Sequence, residues 1–165
     1  AFEQFPDIEV VGEEYGNWSV SDAQEKMRAV LTAESQIDGV WVGGLEMGVS
    51  VINAFNEAGR PTPIMAGTNP INGFNRLAIE NDVQFFAAPF SPASSKLCVE
   101  TMFKILRGEE VQRFVDVTAV VEGTQPFSSE DPGEPEAHFR ADFIDDWVGP
   151  AVIPDDAYIA GGFGQ

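Results

Sequence analysis

Aromatic and amide side chains follow the predicted strands of this chain, where they could hold a small uncharged molecule. Trp18 follows the first predicted strand, Glu46 the second, Asn69 and Asn72 the third, and Phe90 the fourth. In an open parallel α/β sheet, ligands bind outside the carboxyl ends of the strands, which meet at one edge. An aromatic face packs on C–H groups while amides exchange hydrogen bonds with hydroxyls, so this set predicts a site for a neutral polyol.

Several aromatic and polar residues near the strand ends also have a second interpretation. Trp18 could cover the core instead of facing a ligand, and Trp41, inside its strand, is expected to belong to the core. Asn72-Gly73 is also a turn dipeptide. Glu46 at the start of a helix would stabilise the helix dipole whether or not it contacts a ligand.

The sequence offers no catalytic pair. It has no G-x-G-x-x-G, P-loop or G-x-S-x-G motif, and the spacing of Gly43, Gly44 and Gly48 does not fit a dinucleotide site. The single histidine, His138, is expected on a solvated loop, and the single cysteine, Cys98, is expected in the core. We therefore expect no enzyme, no cofactor and no metal.

Three acidic pairs could bind Ca²⁺ together with backbone carbonyls, but they are expected to be solvated surface. They are Glu13-Glu14, Asp145-Asp146 and Asp155-Asp156.

Composition excludes several classes of partner. The 165 residues include 27 acidic and 9 basic ones, a net charge of −18, which repels phosphate backbones and anionic lipid. An apolar content of 44% with 13 Phe, 3 Trp and 2 Tyr predicts a folded chain of one or two small domains. No apolar run is long enough to cross a bilayer. The acidity fits an exported protein and equally a protein of a high-salt organism.

Strand and helix patterns alternate along the first 121 residues. The strands are predicted at 8–11, 39–42, 63–67 and 83–88, with a more alternating last strand at 114–121. The first helix is expected to start within Ser19–Asp22, where Ser21 and Gln24 have the spacing of a capping box. The fourth helix is expected to begin at Ser91-Pro92, to bury its face at Leu97, Thr101, Ile105 and Leu106, and to end at Gly108.

This alternation predicts an α/β fold with a three-layer Rossmann-like (flavodoxin-like) parallel sheet and helices on both faces. The last part of the chain differs in character. Residues 109–165 contain 13 acidic and 2 basic residues. We predict a loop over 123–136, a short helix over 139–147 and a flexible tail at 161–164.

The order of several segments from Phe5 onward is that of a known family. The segments are Phe5-Pro6, Ile8, Trp18, Met27, Leu31, the stretch Ile37–Gly59, Pro63-Ile64, Gly67, Leu106–Glu109 and Val111. This order resembles the C-terminal lobe of type I periplasmic (ribose-binding-like) sugar-binding proteins, the solute receptors of ABC transporters, over residues 2–121.

The resemblance implies that residues 1–121 form one α/β lobe of a periplasmic-binding-protein-like I fold. The first strand and helix of that lobe would be missing, Ala1–Phe5 being the remnant of the helix. Residues 122–165 would form the acidic loop, short helix and tail. The family's N-terminal lobe would be absent, so the chain is expected to be a piece of a longer protein. By itself it is expected to bind sugar weakly or not at all, because affinity needs both walls of the cleft.

The resemblance also assigns ligand-binding positions. Trp18 follows the first strand, Gly44 stands where the family often has Asn, Asn69 where Asp is common, and Pro89 where Gln is common. The substitutions favour a solute that is larger, differently oriented or less polar than a simple pentose. With Glu46, Asn72 and Phe90, these are the expected ligand-binding residues.

The implied function is capture of a sugar or related polyol outside the cytoplasm, in the periplasm or as a cell-surface lipoprotein, for delivery to an ABC permease. Neither nucleic acid nor direct membrane insertion is expected. The alternatives are the effector-binding lobe of a lac-repressor-like transcriptional regulator, which shares this fold, and an enzyme on a flavodoxin-like sheet.

Overall fold

The structure, a computed structural model, describes residues 4–89, 94–114, 127–129 and 144–146. Helices and strands alternate within these ranges as the sequence predicts. The helices are α1 (Val20–Ala33), α2 (Leu45–Glu57), α3 (Asn72–Glu80) and α4 (Ser94–Leu106). The strands are β1 (Gly39–Val42), β2 (Ile64–Thr68), β3 (Phe85–Ala88) and β4 (Phe127–Ser128).

The described strands form one sheet in the order β1-β2-β3-β4. The first three strands are parallel, with Val40 opposite Met65 and Met65 opposite Phe85. The short β4 pairs antiparallel with β3. Because each parallel connection carries a helix, the predicted α/β fold is confirmed, and the carboxyl ends of β1, β2 and β3 lie at the same edge.

The hydrophobic core lies between one face of the sheet and helices α2 and α3. Met65 and Phe85 are buried on that face, and Phe55 and Phe74 reach it from the helices. The Phe74 and Phe85 rings meet edge to face, with centroids 5.2 Å apart and an interplanar angle of 79°. Burying side chains of this size contributes about 1.5–3 kcal/mol each, so this face holds the described part of the sheet together.

The opposite face of the sheet is much more open in the part of the chain that the structure describes. Trp41 is 64% exposed, and Ile64 and Phe86 on the same face are each about half exposed. The sequence pattern predicted helices over both faces and placed Trp41 in the core. Trp41 instead lies on the open face, because its side chain points away from those of the partly buried Val40 and the buried Val42.

The segment predicted as a first strand, 8–11, is not a strand in the structure. Ile8, Val10 and Val11 are exposed, and no described strand lies beside them to pair with their backbone. A β-branched run needs a neighbouring strand to supply hydrogen bonds, and local propensity cannot replace it.

Helix α1 begins at Val20, within the predicted start, but it is not capped by Ser21. Ser19, rather than Ser21, is the N-cap residue, and its hydroxyl accepts a hydrogen bond of 3.3 Å from the Asp22 backbone N–H. Both serines fit the capping preference, so the sequence could not decide between them.

A helix forms over Ser94–Leu106 in the predicted region, while its predicted start at Ser91-Pro92 lies outside the described residues, and it buries less than predicted. Ile105 is 57% and Leu106 72% exposed, and Cys98 is exposed as well, so it is not a core residue. The helix also exposes Val99, Met102 and Phe103. Apolar side chains therefore cover well over half of the helix circumference, and such a pattern does not single out one buried face.

Several sequence predictions lie outside the described residues. They concern most of the strand at 114–121, most of the loop at 123–136, the tail at 161–164, and Phe90, His138 and Asp155-Asp156. Within the predicted loop, the described residues 127–129 include the short strand β4 instead of loop alone. The part of the predicted 139–147 helix that is described, 144–146, contains a turn. None of the described helices is long and apolar enough to span a membrane.

Candidate functional site

The loops that follow β1, β2 and β3 are joined to one another by hydrogen bonds. The Thr68 hydroxyl at the end of β2 donates to the Gly43 carbonyl after β1. The Asn69 backbone N–H donates to the Ala88 carbonyl at the end of β3, over 3.4 Å. These contacts make the carboxyl edge of the sheet one continuous surface, which we call the rim.

Trp18 reaches the rim from a tight turn. The Ser19 N–H donates to the Gly16 carbonyl over 2.8 Å, and the two central residues, Asn17 and Trp18, have φ of 53° and 55°. This is the left-handed region, which asparagine tolerates and a bulky aromatic residue seldom adopts. The turn lies close to α2, because a Cβ on Gly16 would stand 2.8 Å from the Met47 sulfur.

Trp18, Gly44 and Glu46 meet at one point. A Cβ placed on Gly44 would lie 2.6 Å from Cζ3 of Trp18 and 2.5 Å from Oε1 of Glu46. A side chain at this position would have to displace the indole edge or the carboxylate, so glycine there allows the indole to lie against the start of α2. Trp18 is 68% exposed, so most of its surface remains open to solvent.

Glu46 provides an unused hydrogen-bond acceptor at this place. Its Oε2 is buried and has no hydrogen-bond partner, and no described basic side chain forms an ion pair with Glu46. Glu46 lies in the first turn of α2, where the helix dipole stabilises its negative charge. A carboxylate oxygen held in this way can accept a hydrogen bond from a ligand hydroxyl once the side chain that covers it moves aside.

The remaining predicted site residues are placed differently. Asn69 lies on the rim in a left-handed conformation with φ of 48°, and Pro89, half-buried, follows the end of β3. Asn72 is fully buried, and its amide donates to the Ile144 carbonyl over 3.3 Å. The structure therefore places Trp18, Gly44 and Glu46 together, puts Asn69 and Pro89 on neighbouring strand ends, and turns Asn72 toward the segment 144–146.

Sequence reasoning did not find that segment 144–146 contacts the start of α3. Asp145 forms an ion pair with Arg76 of 3.1 Å, and its carbonyl accepts from the Gly73 N–H over 2.8 Å. Nothing in the local pattern of an acidic pair indicates a partner about 70 residues away.

The described residues contain no group of three or more His, Cys, Asp or Glu side chains that could hold a metal ion. Among them, the acidic pairs have other neighbours. Glu14 lies 3.5 Å from Lys26, and Asp145 pairs with Arg76.

A family model described as "periplasmic binding protein domain" matches residues 1–110. The chain belongs to this family. Its members are extracytoplasmic proteins that bind substrates, and the α/β lobe with its rim is the family's type I fold.

Solved structures show the same fold. An ABC transporter solute-binding protein from Mycobacterium smegmatis with bound glycerol has a TM-score of 0.66 and 21% identity, covering 90% of this chain and 48% of that one. A carbohydrate transporter solute-binding protein from Agrobacterium radiobacter in complex with D-arabinose has a TM-score of 0.63 and 18% identity, covering 81% and 44%. One from Agrobacterium vitis with bound D-fucose has a TM-score of 0.63 and 18% identity, covering 82% and 45%. The chain thus spans less than half the length of these structures.

Proposed function

We propose that this chain is the ligand-binding lobe of an ABC importer's solute-binding protein, and that it captures a sugar or related polyol. The observation that carries the proposal is the meeting of an exposed Trp18 with the unpartnered carboxylate oxygen of Glu46 over Gly44. An indole face packs against the C–H side of a polyol, and a carboxylate accepts from its hydroxyls. Asn69 and Pro89 extend this surface along the rim.

The lack of a side chain at Gly44 bears on the kind of solute. The space where a longer side chain would reach the ligand is filled by the Trp18 ring edge and the Glu46 carboxylate. The site therefore offers a broad apolar face and one charged acceptor. This combination favours a solute with an extended C–H face, such as a deoxy sugar or a less polar polyol, and the D-fucose bound by the Agrobacterium vitis protein is of that class.

A single lobe provides one wall of a cleft. We expect a second lobe to complete the site and to close on the solute, and residues 122–165 to form an acidic loop, short helix and tail whose described parts pair with β3 and contact α3. The loaded protein would then deliver its solute to the transmembrane permease subunits from the periplasm or the cell surface. These steps rest on the family resemblance and on the length of the solved structures relative to this chain.

The regulator alternative has less support. The lac-repressor-like proteins share the fold but act on DNA, and a net charge of −18 opposes contact with phosphate backbones. The solved structures reported above are transport proteins.

The test is direct binding of small polyols to the complete gene product. Isothermal titration with D-arabinose, D-fucose, D-allose and glycerol should give saturable binding of at least one of them. Trp18→Ala should abolish it, whereas Tyr15→Ala, which removes an exposed aromatic ring from the preceding segment, should not. If none of the polyols binds at millimolar concentration, or if the Trp18 variant binds as well as the parent protein, the proposal fails.

A further inference from the structure

The segment Ile144–Asp146, which we call the clasp, lies against the first turn of α3. The Gly73 N–H donates to the Asp145 carbonyl over 2.8 Å, and the Arg76 Nε lies 3.1 Å from Asp145 Oδ1. The amide of the fully buried Asn72 donates to the Ile144 carbonyl over 3.3 Å. A backbone contact, an ion pair and a buried side-chain contact thus join two parts of the chain that are distant in sequence.

The clasp supplies what α3 lacks locally. The first N–H groups of a helix have no partner within the helix, and a Ser, Thr, Asp or Asn before the helix usually provides one. Here the N-cap residue is Ile71, whose side chain makes no capping hydrogen bond. The Asp145 carbonyl takes that role for the Gly73 N–H, and the fit is close, since a Cβ on Gly73 would stand 2.8 Å from the Cβ of Asp145.

The clasp is connected to the candidate site through a few residues. Helix α3 begins three residues after Asn69, and Asn69 follows directly on Thr68. The Thr68 hydroxyl donates to the carbonyl of Gly43, whose neighbour Gly44 lies under the Trp18 ring. Fixing the first turn of α3 therefore fixes the short loop that presents Asn69 on the rim.

We propose that the clasp holds the loop between β2 and α3 in the geometry that solute binding needs, with Asp145 and Arg76 as positioning residues. The inference rests on the proposed function of the rim. The family match ends at residue 110, and the rim residues all lie before it. The inference therefore gives a role to the acidic C-terminal part of the chain, which neither of them covers. Neither positioning residue needs to touch the solute.

The decisive variant is Gly73→Ala in the complete gene product. The φ of Gly73 does not lie in the left-handed region, and alanine favours a helix more than glycine does, so an unclasped α3 would gain stability from the change. With the clasp in place, the new methyl group displaces Asp145. We expect a lower melting temperature, faster hydrogen exchange of the residue 73 amide, and a loss of polyol affinity of about 2- to 30-fold.

Charge variants separate positioning from simple support of the fold. Asp145→Asn retains the backbone carbonyl and loses the ion pair, and Asp145→Glu retains the charge. The first should weaken binding of the polyol that the parent protein binds, and the second should restore most of the affinity, at melting temperatures that differ little because the ion pair is exposed. Arg107→Gln, which removes an exposed ion pair at the end of α4, is the matched control and should leave affinity unchanged.

Three outcomes would overturn the inference. One is a rise in the melting temperature of Gly73→Ala with unchanged exchange of the residue 73 amide. Another is unaltered affinity of Gly73→Ala and Asp145→Asn in a protein whose parent form binds polyols, in which case the proposed function stands and only the clasp's role is wrong. If the parent protein binds none of the polyols, the positioning role falls together with the proposed function, and the exchange data report on the clasp alone.

Discussion

Replacing Trp18 by glycine and, separately, by alanine tests the strained turn and the binding role in one experiment. Trp18 holds a left-handed conformation with φ of 55° while its side chain is mostly exposed. Glycine adopts this conformation without steric cost, whereas any residue with a Cβ pays about 1–2 kcal/mol. The two variants lose the same indole and differ in how well residue 18 fits its backbone.

The magnitude follows from exposure and geometry. With Trp18 68% exposed, about 80 Å² of the residue is buried, so either truncation loses roughly 2 kcal/mol of burial. Glycine relieves the backbone strain but adds about 0.4–1 kcal/mol of unfolded-state entropy. The free energy of unfolding of Trp18→Gly should therefore exceed that of Trp18→Ala by up to about 1.6 kcal/mol.

Urea unfolding followed by circular dichroism measures this difference. With a typical urea dependence of about 2 kcal/mol per molar, the unfolding midpoint of the glycine variant should be higher by up to about 0.8 M. Tyr15 is an exposed aromatic residue whose φ is not in the left-handed region, so Tyr15→Gly should be less stable than Tyr15→Ala. Both Trp18 variants should lose at least about tenfold in polyol affinity, which corresponds to 1.4 kcal/mol.

Two results would refute this reasoning. If the alanine variant at position 18 is the more stable one, as at position 15, the left-handed conformation of Trp18 is wrong. If both Trp18 variants bind polyols as the parent protein does, the indole does not face the solute, whatever its backbone conformation.

Three further predictions concern the scaffold. Gly67→Ala should lower the free energy of unfolding by about 1–3 kcal/mol in urea titration, because the added Cβ would overlap the Val42 carbonyl oxygen. Unchanged stability would contradict the close approach of β1 and β2 at the pair Val42 and Gly67. Arg60→Met should lower the free energy of unfolding by about 1.5–3 kcal/mol in the same assay, because the Arg60 guanidinium donates hydrogen bonds to three carbonyls at the end of α1. A loss below about 0.5 kcal/mol would show that water replaces the guanidinium at these carbonyls. Hydrogen bonds from Arg28 lower the pKa of Glu57 from its usual 4.5. The stability gained from this pair is therefore present above pH 4.5 and is lost as the pH falls through the pKa of Glu57 in the folded protein. If the stability advantage of the parent protein over Glu57→Gln grew toward acidic pH, this prediction would be contradicted.

The parallel part of the sheet could be predicted from sequence because its signals are local. The runs at 39–42, 64–68 and 85–88 are short and apolar, and each is joined to the next by a helix with one apolar stripe. Strand–helix alternation then requires parallel pairing, and parallel pairing brings the strand ends to one edge. The same reasoning led from sequence to Gly44 and Asn69, whereas Trp18 lies at this edge although the strand predicted before it, 8–11, does not form.

The remaining features depend on contacts that no local pattern contains. The segment 8–11 has strand-forming residues but no described strand beside it, and the apolar residues of α4 do not select one buried face. The clasp depends on Asp145 meeting Arg76 and Gly73 across the chain. The turn conformation of Trp18 was also unpredictable, since tryptophan is a poor residue for a left-handed position and local rules would have placed glycine there.

The positions where local preference is violated suggest where function lies. Four non-glycine residues in the described ranges have positive φ. Asp82 lies in the turn that leads from α3 into β3, at the amino end of that strand, and is of a type that tolerates this conformation. The other three, Asn17, Trp18 and Asn69, all lie at the carboxyl edge of the sheet. Asparagine tolerates a left-handed backbone conformation, so Trp18 is the residue of the three whose conformation is strained. The core of this chain follows local conformational preferences, whereas its carboxyl edge holds residues in unfavourable backbone conformations. Strain confined to one edge in this way indicates a role other than stability. At this edge, the strain places an indole beside a carboxylate that still has an oxygen free to accept a hydrogen bond.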